Sequence, residues 1–224
     1  MLLFLGVGLV VGMRHALEAD HLAAVMALST RSRGRTATML RGAAWGLGHA
    51  SALFVVGGLC LALGTTVSPR SETWLERGVG VMLIVLGAQV IRRLWRGRVR
   101  ISRHAHPGGI VHVHAHRGEA AAGSAPSDHP HASGSHVRAA LVGTVHGMAG
   151  SAALVVLTSS TAQTFSAGLA YIAAFGLGSV LGMAVLSLAI AVPLASTSRR
   201  LGPACGLVEI PIALGTVGLG VWML

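Results

Sequence analysis

Six long apolar segments, separated by polar or arginine-rich connectors, set the main constraint on how this 224-residue chain folds. Each is long enough to cross a bilayer core of about 30 Å at a helical rise of about 1.5 Å per residue. Charged residues make up only 11% of the chain, against roughly a quarter in soluble domains, which argues against a soluble helical protein. The sequence therefore predicts an all-α, polytopic integral membrane protein with six transmembrane helices in a lipid bilayer. The segments cover residues 2–29, 42–64, 75–95, 138–158, 166–194 and 206–224.

The basic residues indicate an orientation. The net charge of +10 comes from arginine, because the chain contains no lysine. Arginines concentrate in the connectors after the first, third and fifth segments, and under the positive-inside rule such connectors lie in the cytoplasm. We therefore expect a multi-pass protein of the cell's inner (plasma) membrane with both termini outside the cytoplasm. Since the arginines lie between the spans, no nucleic-acid partner is expected.

A weak internal repeat suggests how the spans are organised. Gly12–His15 matches Gly143–His146 at an offset of 131, and Gly46–Gly48 matches Gly176–Gly178 at an offset of 130. A third match has an offset of 133 and pairs Glu76 and Gly87 with Glu209 and Gly220. Halves with three spans each must be inverted relative to one another, which is the plan of many secondary transporters. The predicted parts are a first three-helix half over 1–96, a His-rich cytoplasmic loop over 97–137 and a second three-helix half over 138–224.

Five ionisable residues interrupt the first apolar segment: Arg14, His15, Glu18, Asp20 and His21. Such groups cost a few kcal/mol each inside a bilayer, so they need a functional reason or a place at the membrane surface. Imidazole and carboxylate ligands together suit divalent first-row metals. On a regular helix His15, Glu18 and His21 share an arc of about 120° and Asp20 points elsewhere. Asp20 is then either a partner of another group or part of a locally unwound turn. In the alternative interpretation the cluster lies at the surface and Arg14 pairs with Glu18.

Two more histidines, His49 and His146, lie deep in apolar segments. Each taken alone is equally well explained by a hydrogen bond to a neighbouring helix. Glycines flank both, at Gly48 and Gly147, and glycine permits close backbone approach or a helix break at a binding site. Together with the first cluster, they favour a metal site built from several helices.

These motifs resemble those of the nickel/cobalt permease family. The His15–His21 segment is an H-x4-D-H element like the signature of that family, and Gly48-His49-Ala50-Ser51 is similar to its second Gly-His element. The segment His146–Ser151 resembles a motif of a shorter, urease-accessory-type branch. The resemblance runs from about residue 6 to the C-terminus, apart from the loop near 100–137. It implies that Ni²⁺ or Co²⁺ is bound and translocated as the substrate. The implied metal-binding residues are His15, Asp20 and His21, helped by His49 and His146, with Glu18 as a further participant.

The chain also departs from the larger permeases. Glu18 stands where they usually have Asp, and Gly176–Ser179 stands where they carry an element rich in Asp and Thr. They have eight spans rather than six. These differences leave open the choice between nickel and cobalt, and between import and export.

The loop over 104–136 contains eight of the twelve histidines. The rest of it is mostly Gly, Ala, Ser and Pro, so we expect disorder. Tracts of this kind bind metals loosely, although a neutral linker is an alternative interpretation. Efflux members of the wider family tend to carry such a loop, which favours export. The loop histidines are His104, His106, His112, His114, His116, His129, His131 and His136.

Three classes of function compete. A transporter is the main hypothesis, with protons as an open counter-ion because metal ligands must be deprotonated. A membrane metalloenzyme is not expected, since neither HExxH nor repeated histidine boxes occur. A non-transporting nickel chaperone for an enzyme such as urease is the alternative. No organic cofactor is expected, and a homo-oligomer is left open.

Overall fold

The computed structural model describes residues 1–29, 35–96, 99–105, 111–117, 132–151, 154, 157–158, 162, 164–201 and 206–224. Seven helices account for most of these residues, and a single short hairpin is the only β-structure among them. The predicted all-helical character of the membrane part is confirmed. The helices are α1 (Leu2–His15), α2 (Ala19–Ser29), α3 (Arg35–Leu63), α4 (Pro69–Arg96), α5 (Ala132–Ala149), α6 (Phe165–Leu201) and α7 (Gly206–Trp222).

Three of the helices are long and apolar enough to cross a membrane: α3, α4 and α6. The pair α1 and α2 passes the same test together but is bent by 60° at the break between them. Helix α7 is apolar but shorter, and α5 ends at Ala149, although Ser151, Leu154, Leu157 and Thr158 beyond it are again helical. The turn at Gly150 accounts for this early end, since glycine is a weak helix former. The described helices therefore give up to four candidate spans, and the six-span arrangement stays a prediction.

The break between α1 and α2 corrects the expectation of one continuous first span. At the end of α1 the backbone bonds tighten, with Leu17 N–H donating to Arg14 O at 2.9 Å and Glu18 N–H to His15 O at 3.1 Å. Such bonds between residues three apart commonly close the last turn of a helix. Helix α2 starts at Ala19, so Asp20 lies in its first turn, where a negative charge complements the helix dipole.

Glycines lie where helices cross most closely. A Cβ on Gly12 of α1 would collide with the carbonyl group of Phe175 on α6. A Cβ on Gly143 of α5 would collide with the carbonyl group of Trp45 on α3. In lipid, small residues at such crossings let helix backbones pack directly against each other. The same kind of contact joins Gly178 to Leu9 and Gly48 to Ala140.

The distribution of buried and exposed side chains fits a protein surrounded by lipid. Large apolar residues such as Leu47, Val55 and Leu181 are exposed on the outer faces of α3 and α6, whereas His21 and His49 are fully buried. Contiguous apolar surface of this extent is rare on soluble monomers. Inside the bundle, the Arg93 guanidinium of α4 donates to Glu209 Oε2 of α7 at 2.7 Å and ties these two helices together.

Part of the loop predicted to be disordered forms an antiparallel hairpin. Its strands are β1 (Val99–Ala105) and β2 (Val111–Arg117), and their register places His104 opposite His112. The alternation of valine and histidine in β2 is a strand pattern that outweighs the polar composition. Helix α5 also begins inside the predicted loop, at Ala132, and includes His136. His114 and His116 lie on β2, while His106, His129 and His131 fall outside the described residues.

Candidate metal site

Four histidines from four helices converge in the middle of the bundle. His15 ends α1, His21 lies in the first turns of α2, His49 is midway along α3, and His146 is near the end of α5. The ring centroid of His21 is 4.1 Å from that of His146, 4.5 Å from that of His15 and 5.1 Å from that of His49. His21 is therefore the central member of the group.

Local backbone features bring these rings together. The bend between α1 and α2 lets His15 and His21, which would be separated by almost two turns of a straight helix, lie side by side. The close crossing of α3 and α5 does the same for His49 and His146, since a Cβ on Gly147 would collide with the carbonyl group of His49. The glycines next to these histidines thus set the width of the site.

Two carboxylates hold the histidine rings in place. Glu18 Oε1 lies 2.9 Å from His15 Nδ1, and Asp20 Oδ1 lies 2.9 Å from His21 Nδ1. The other oxygen of Asp20, Oδ2, lies 2.8 Å from His146 Nε2. An ionised carboxylate only accepts hydrogen bonds, so the ring nitrogen at each of these contacts is the donor. The second nitrogen of each ring then carries the lone pair that can bind a metal.

The second nitrogens are buried and have no hydrogen-bond partner among the described residues. They are Nε2 of His15, Nε2 of His21 and Nδ1 of His146, and neither ring nitrogen of His49 has a partner. A buried polar atom without a partner costs about 1–3 kcal/mol, so a cluster of five calls for an explanation. A bound cation supplies one, because it would accept several of these lone pairs at once.

Two ligand groups share His21. One consists of His15, His21 and His49, the other of Asp20, His21 and His146, and in each group one ligand atom per residue lies within 4.8 Å of the others. In the first group all three ligands are imidazoles, and each has a ring nitrogen without a hydrogen-bond partner among the described residues. In the second, the Asp20 and His146 atoms already bond to each other. The first group is therefore the better candidate for a metal site.

A cavity of about 420 Å³ leads to these histidines. His15, His21 and His146 line it, together with Phe175, whose ring centroid is 5.3 Å from that of His15. Glu72 and Glu76, from the first turns of α4, line it as well. The cavity thus connects the histidines with the end of α4 opposite its arginine-rich end.

The sequence matches known proteins along nearly the whole chain. Residues 4–215 match the family model for the transmembrane region of cytochrome c biogenesis proteins. The urease accessory protein UreH of Bacillus sp. (strain TB-90) is 31% identical over 220 residues, which cover 97% of this chain and 89% of that protein. This chain belongs to the UreH family of nickel/cobalt-transporter-type membrane proteins. No solved structure matches it.

In this UreH-family chain, the six residues predicted for the intramembrane site come together. Of the loop histidines, His136 is the one whose side chain the structure describes, and it is not part of this group. The alternatives for Asp20 prove compatible: the helix is interrupted just before it, and its carboxylate is the partner of His21 and His146. The proposed pairing of Glu18 with Arg14 is not what the structure has, since Glu18 pairs with His15. Metal binding by the six stays a prediction. They are His15, Glu18, Asp20, His21, His49 and His146.

Sequence reasoning missed Trp45 as a neighbour of the site. Trp45 is fully buried, and its ring centroid lies 5.5 Å from that of His21 and 5.6 Å from that of His146. Its position four residues before His49 was a usable signal, because residues four apart share a helix face. Glu72 was missed as well, and Glu76 was noticed only as part of the repeat.

Proposed function

We propose that this protein binds Ni²⁺ or Co²⁺ through His15, His21 and His49 and moves the ion across the membrane. The observation that carries the proposal is a group of three histidines that each place one ligand atom within 4.8 Å of the others and that each have a buried ring nitrogen without a partner among the described residues. Imidazole is a good ligand for both ions. Carboxylates that orient the rings and offset the charge complete the arrangement usual for histidine metal ligands.

The residues divide into two roles. His15, His21 and His49 supply nitrogen ligands, whereas Glu18 and Asp20 hold the rings and supply negative charge. This differs from the sequence-based hypothesis, in which Asp20 was itself a ligand. His146 shares Asp20 with His21, so it offers a second position to which the ion passes when the helices move.

X-ray absorption of the nickel-loaded protein in nanodiscs tests the site. The account predicts a spectrum with about three imidazole ligands, which His15→Ala and His49→Ala each reduce. His136→Ala is a matched control, because it removes a histidine that lies on α5 outside the cluster. A wild-type spectrum dominated by oxygen ligands would be evidence against the site.

We propose further that residues 1–96 and 138–224 are inverted halves of one repeat. The contact of Gly12 with Phe175 corresponds to that of Gly143 with Trp45 when the halves are exchanged at offsets of 131 and 130. The contacts of Gly178 with Leu9 and of Gly48 with Ala140 correspond in the same way. Reciprocal contacts of this kind are expected of two copies related by a two-fold axis.

The helix pair α4 and α7 supports the same interpretation. Gly87 meets the carbonyl group of Ala213, and Gly220 meets that of Gly80. At an offset of 133, exchanging the halves turns the first contact into the second. The glycine contacts are thus reciprocal in the helix pairs α1–α6, α3–α5 and α4–α7. This supports six spans even though α5 and α7 are short.

Under this symmetry Trp45 and Phe175 hold equivalent places on opposite sides of the histidines. Trp45 is fully buried and packs on His21 and His146, whereas Phe175 lines the open cavity beside His15. A rocking motion that exchanges the two halves would exchange these environments. Alternating access follows if the side covered by Trp45 opens as the side lined by Phe175 closes.

The proposed orientation has the cavity facing away from the cytoplasm. Arg92 and Arg93 lie at the far end of α4 from the cavity residues Glu72 and Glu76. The positive-inside rule assigns the arginine-rich end to the cytoplasm, with both chain termini outside. The His-rich loop then lies in the cytoplasm, where loosely bound metal favours export.

A non-transporting nickel chaperone is the second candidate. The observation that favours it is the name of the relative UreH, a urease accessory protein, which also supports a non-enzymatic role. A chaperone binds metal and a soluble partner but moves no ion across liposomes. Metal binding without flux, together with capture of an apo-enzyme by the nickel-loaded protein, would favour this candidate.

A further inference from the structure

The cavity that leads to the histidines concentrates negative charge. The chain has only seven acidic residues and a net charge of +10. Four of the seven line this one cavity, and a single arginine, Arg14, lines it with them, so its formal charge is −3. Two of the four, Glu18 and Asp20, are engaged with histidines. The other two have no such role.

Those two carboxylates, Glu72 and Glu76, lie one turn apart on α4 and share a helix face with Val79, which also lines the cavity. Neither forms an ion pair within the described part of the chain, although Arg70 and Arg77 are close in sequence. Instead, Arg77 lies over the ring of Trp74 at 5.4 Å. The carboxylates therefore remain free to meet a cation that enters the cavity.

A second observation, independent of the acidic pair, points to a cation in this cavity. His21 lines the same cavity and is 1% exposed, and its Nε2 has no hydrogen-bond partner among the described residues. The cavity thus leads from unpaired carboxylates to an unpaired buried imidazole nitrogen. Carboxylate oxygens attract hydrated divalent cations, while imidazole nitrogens hold dehydrated transition metals more firmly.

We propose that Glu72 and Glu76 form an outer site that captures a hydrated divalent cation before it reaches His15, His21 and His49. The inference rests on the proposed metal binding by those histidines but not on transport. A negatively lined cleft raises the local concentration of cations and their association rate by roughly 10- to 1000-fold at low ionic strength. An outer site on the side away from the cytoplasm would collect cations from outside and so favours import, whereas the His-rich loop favours export.

The test is the rate at which Co²⁺ reaches the histidines. The full-length protein in phosphatidylcholine nanodiscs is mixed with CoCl₂ in a stopped-flow instrument, and binding is followed by the visible d–d absorbance of nitrogen-bound cobalt. The double variant E72Q/E76Q removes the outer site. The matched control E119Q/D128N raises the net charge of the chain by the same amount but changes two acids of the 97–137 loop.

We expect E72Q/E76Q to lower the association rate constant about tenfold at low ionic strength, with a final absorbance equal to that of wild type. At about 1 M salt the difference should shrink below about twofold, because the Debye length falls to about 3 Å. E119Q/D128N should match wild type at both salt concentrations.

Equal rates for E72Q/E76Q and wild type at low salt would overturn the outer site. A lower final absorbance in E72Q/E76Q would also overturn it, because the two acids would then belong to the inner site. If instead the histidines do not bind the metal, H15A/H49A would keep the wild-type absorbance, or wild type would show none.

Discussion

Asp20 and His146 are 126 positions apart in the chain, yet a 2.8 Å hydrogen bond joins Asp20 Oδ2 to His146 Nε2. The same carboxylate accepts from His21 Nδ1 through its other oxygen at 2.9 Å. One side chain thus fixes the rings of two histidines, one on α2 and one on α5. Its place in the first turn of α2 depends on the break that ends α1 at His15.

Asp20→Asn is expected to weaken nickel binding by about 10- to 100-fold, the usual effect of removing a group that orients a metal ligand. The amide has one acceptor oxygen and a donor nitrogen, so it cannot accept from both histidine rings. Isothermal titration of the protein with NiCl₂ measures the change. Glu18→Gln is the matched control: Glu18 is 57% exposed and holds only His15, so a smaller loss is expected. An Asp20→Asn protein with wild-type affinity would contradict the role given to Asp20.

The variant His49→Ala tests whether His49 is a metal ligand or only a structural residue. Neither ring nitrogen of His49 has a partner among the described residues, so its removal breaks no hydrogen bond in the metal-free protein. We expect the melting temperature without metal to stay within a few degrees of wild type. Ni²⁺ should raise that of wild type but have little effect on the variant, since a ligand stabilises only a protein that binds it. Equal nickel-induced shifts in both proteins would exclude His49 as a ligand.

Gly143→Ala tests the close crossing of α3 and α5. The added methyl group would collide with the Trp45 carbonyl, and overpacking of this kind costs about 1–3 kcal/mol. The two helices carry His49 and His146, so metal affinity should fall together with stability. Gly78→Ala is the control, because nothing lies within 4 Å of its Cβ position. It should be neutral or stabilise α4 by up to about 1 kcal/mol. Denaturant unfolding in detergent measures both, and equal stabilities would contradict the packing described here.

Much of the membrane fold follows from the sequence because apolar segments of spanning length are a strong signal. The site residues were also predictable, since ionisable groups inside such segments are costly and must have partners. The break at Ala16–Glu18 was predicted only as one of two alternatives for Asp20, because Ala, Leu and Glu are all good helix formers. There the pairing of Glu18 with His15 and of Asp20 with two histidines outweighs local helix propensity.

Other features depend on contacts between distant segments. Glu72 and Glu76 look like ordinary residues of a polar helix start, and only the packing of α4 beside α2, α5 and α7 shows that they line the cavity. Helix α5 ends at Ala149, where the turn at Gly150 interrupts it. The β-hairpin was not predicted, because the polar composition of the loop favours disorder and only the valine–histidine alternation of β2 indicates a strand.

Nickel flux into and out of proteoliposomes, measured for wild type, His15→Ala and His136→Ala, tests whether the ion crosses the membrane through the histidine site. We expect flux through wild type and His136→Ala, and none above the protein-free background through His15→Ala. A deletion of residues 104–136 measured in the same way shows whether the His-rich loop affects the direction or rate. Wild-type protein that binds nickel but moves none, or His15→Ala that moves it at the wild-type rate, would contradict transport through the histidine site.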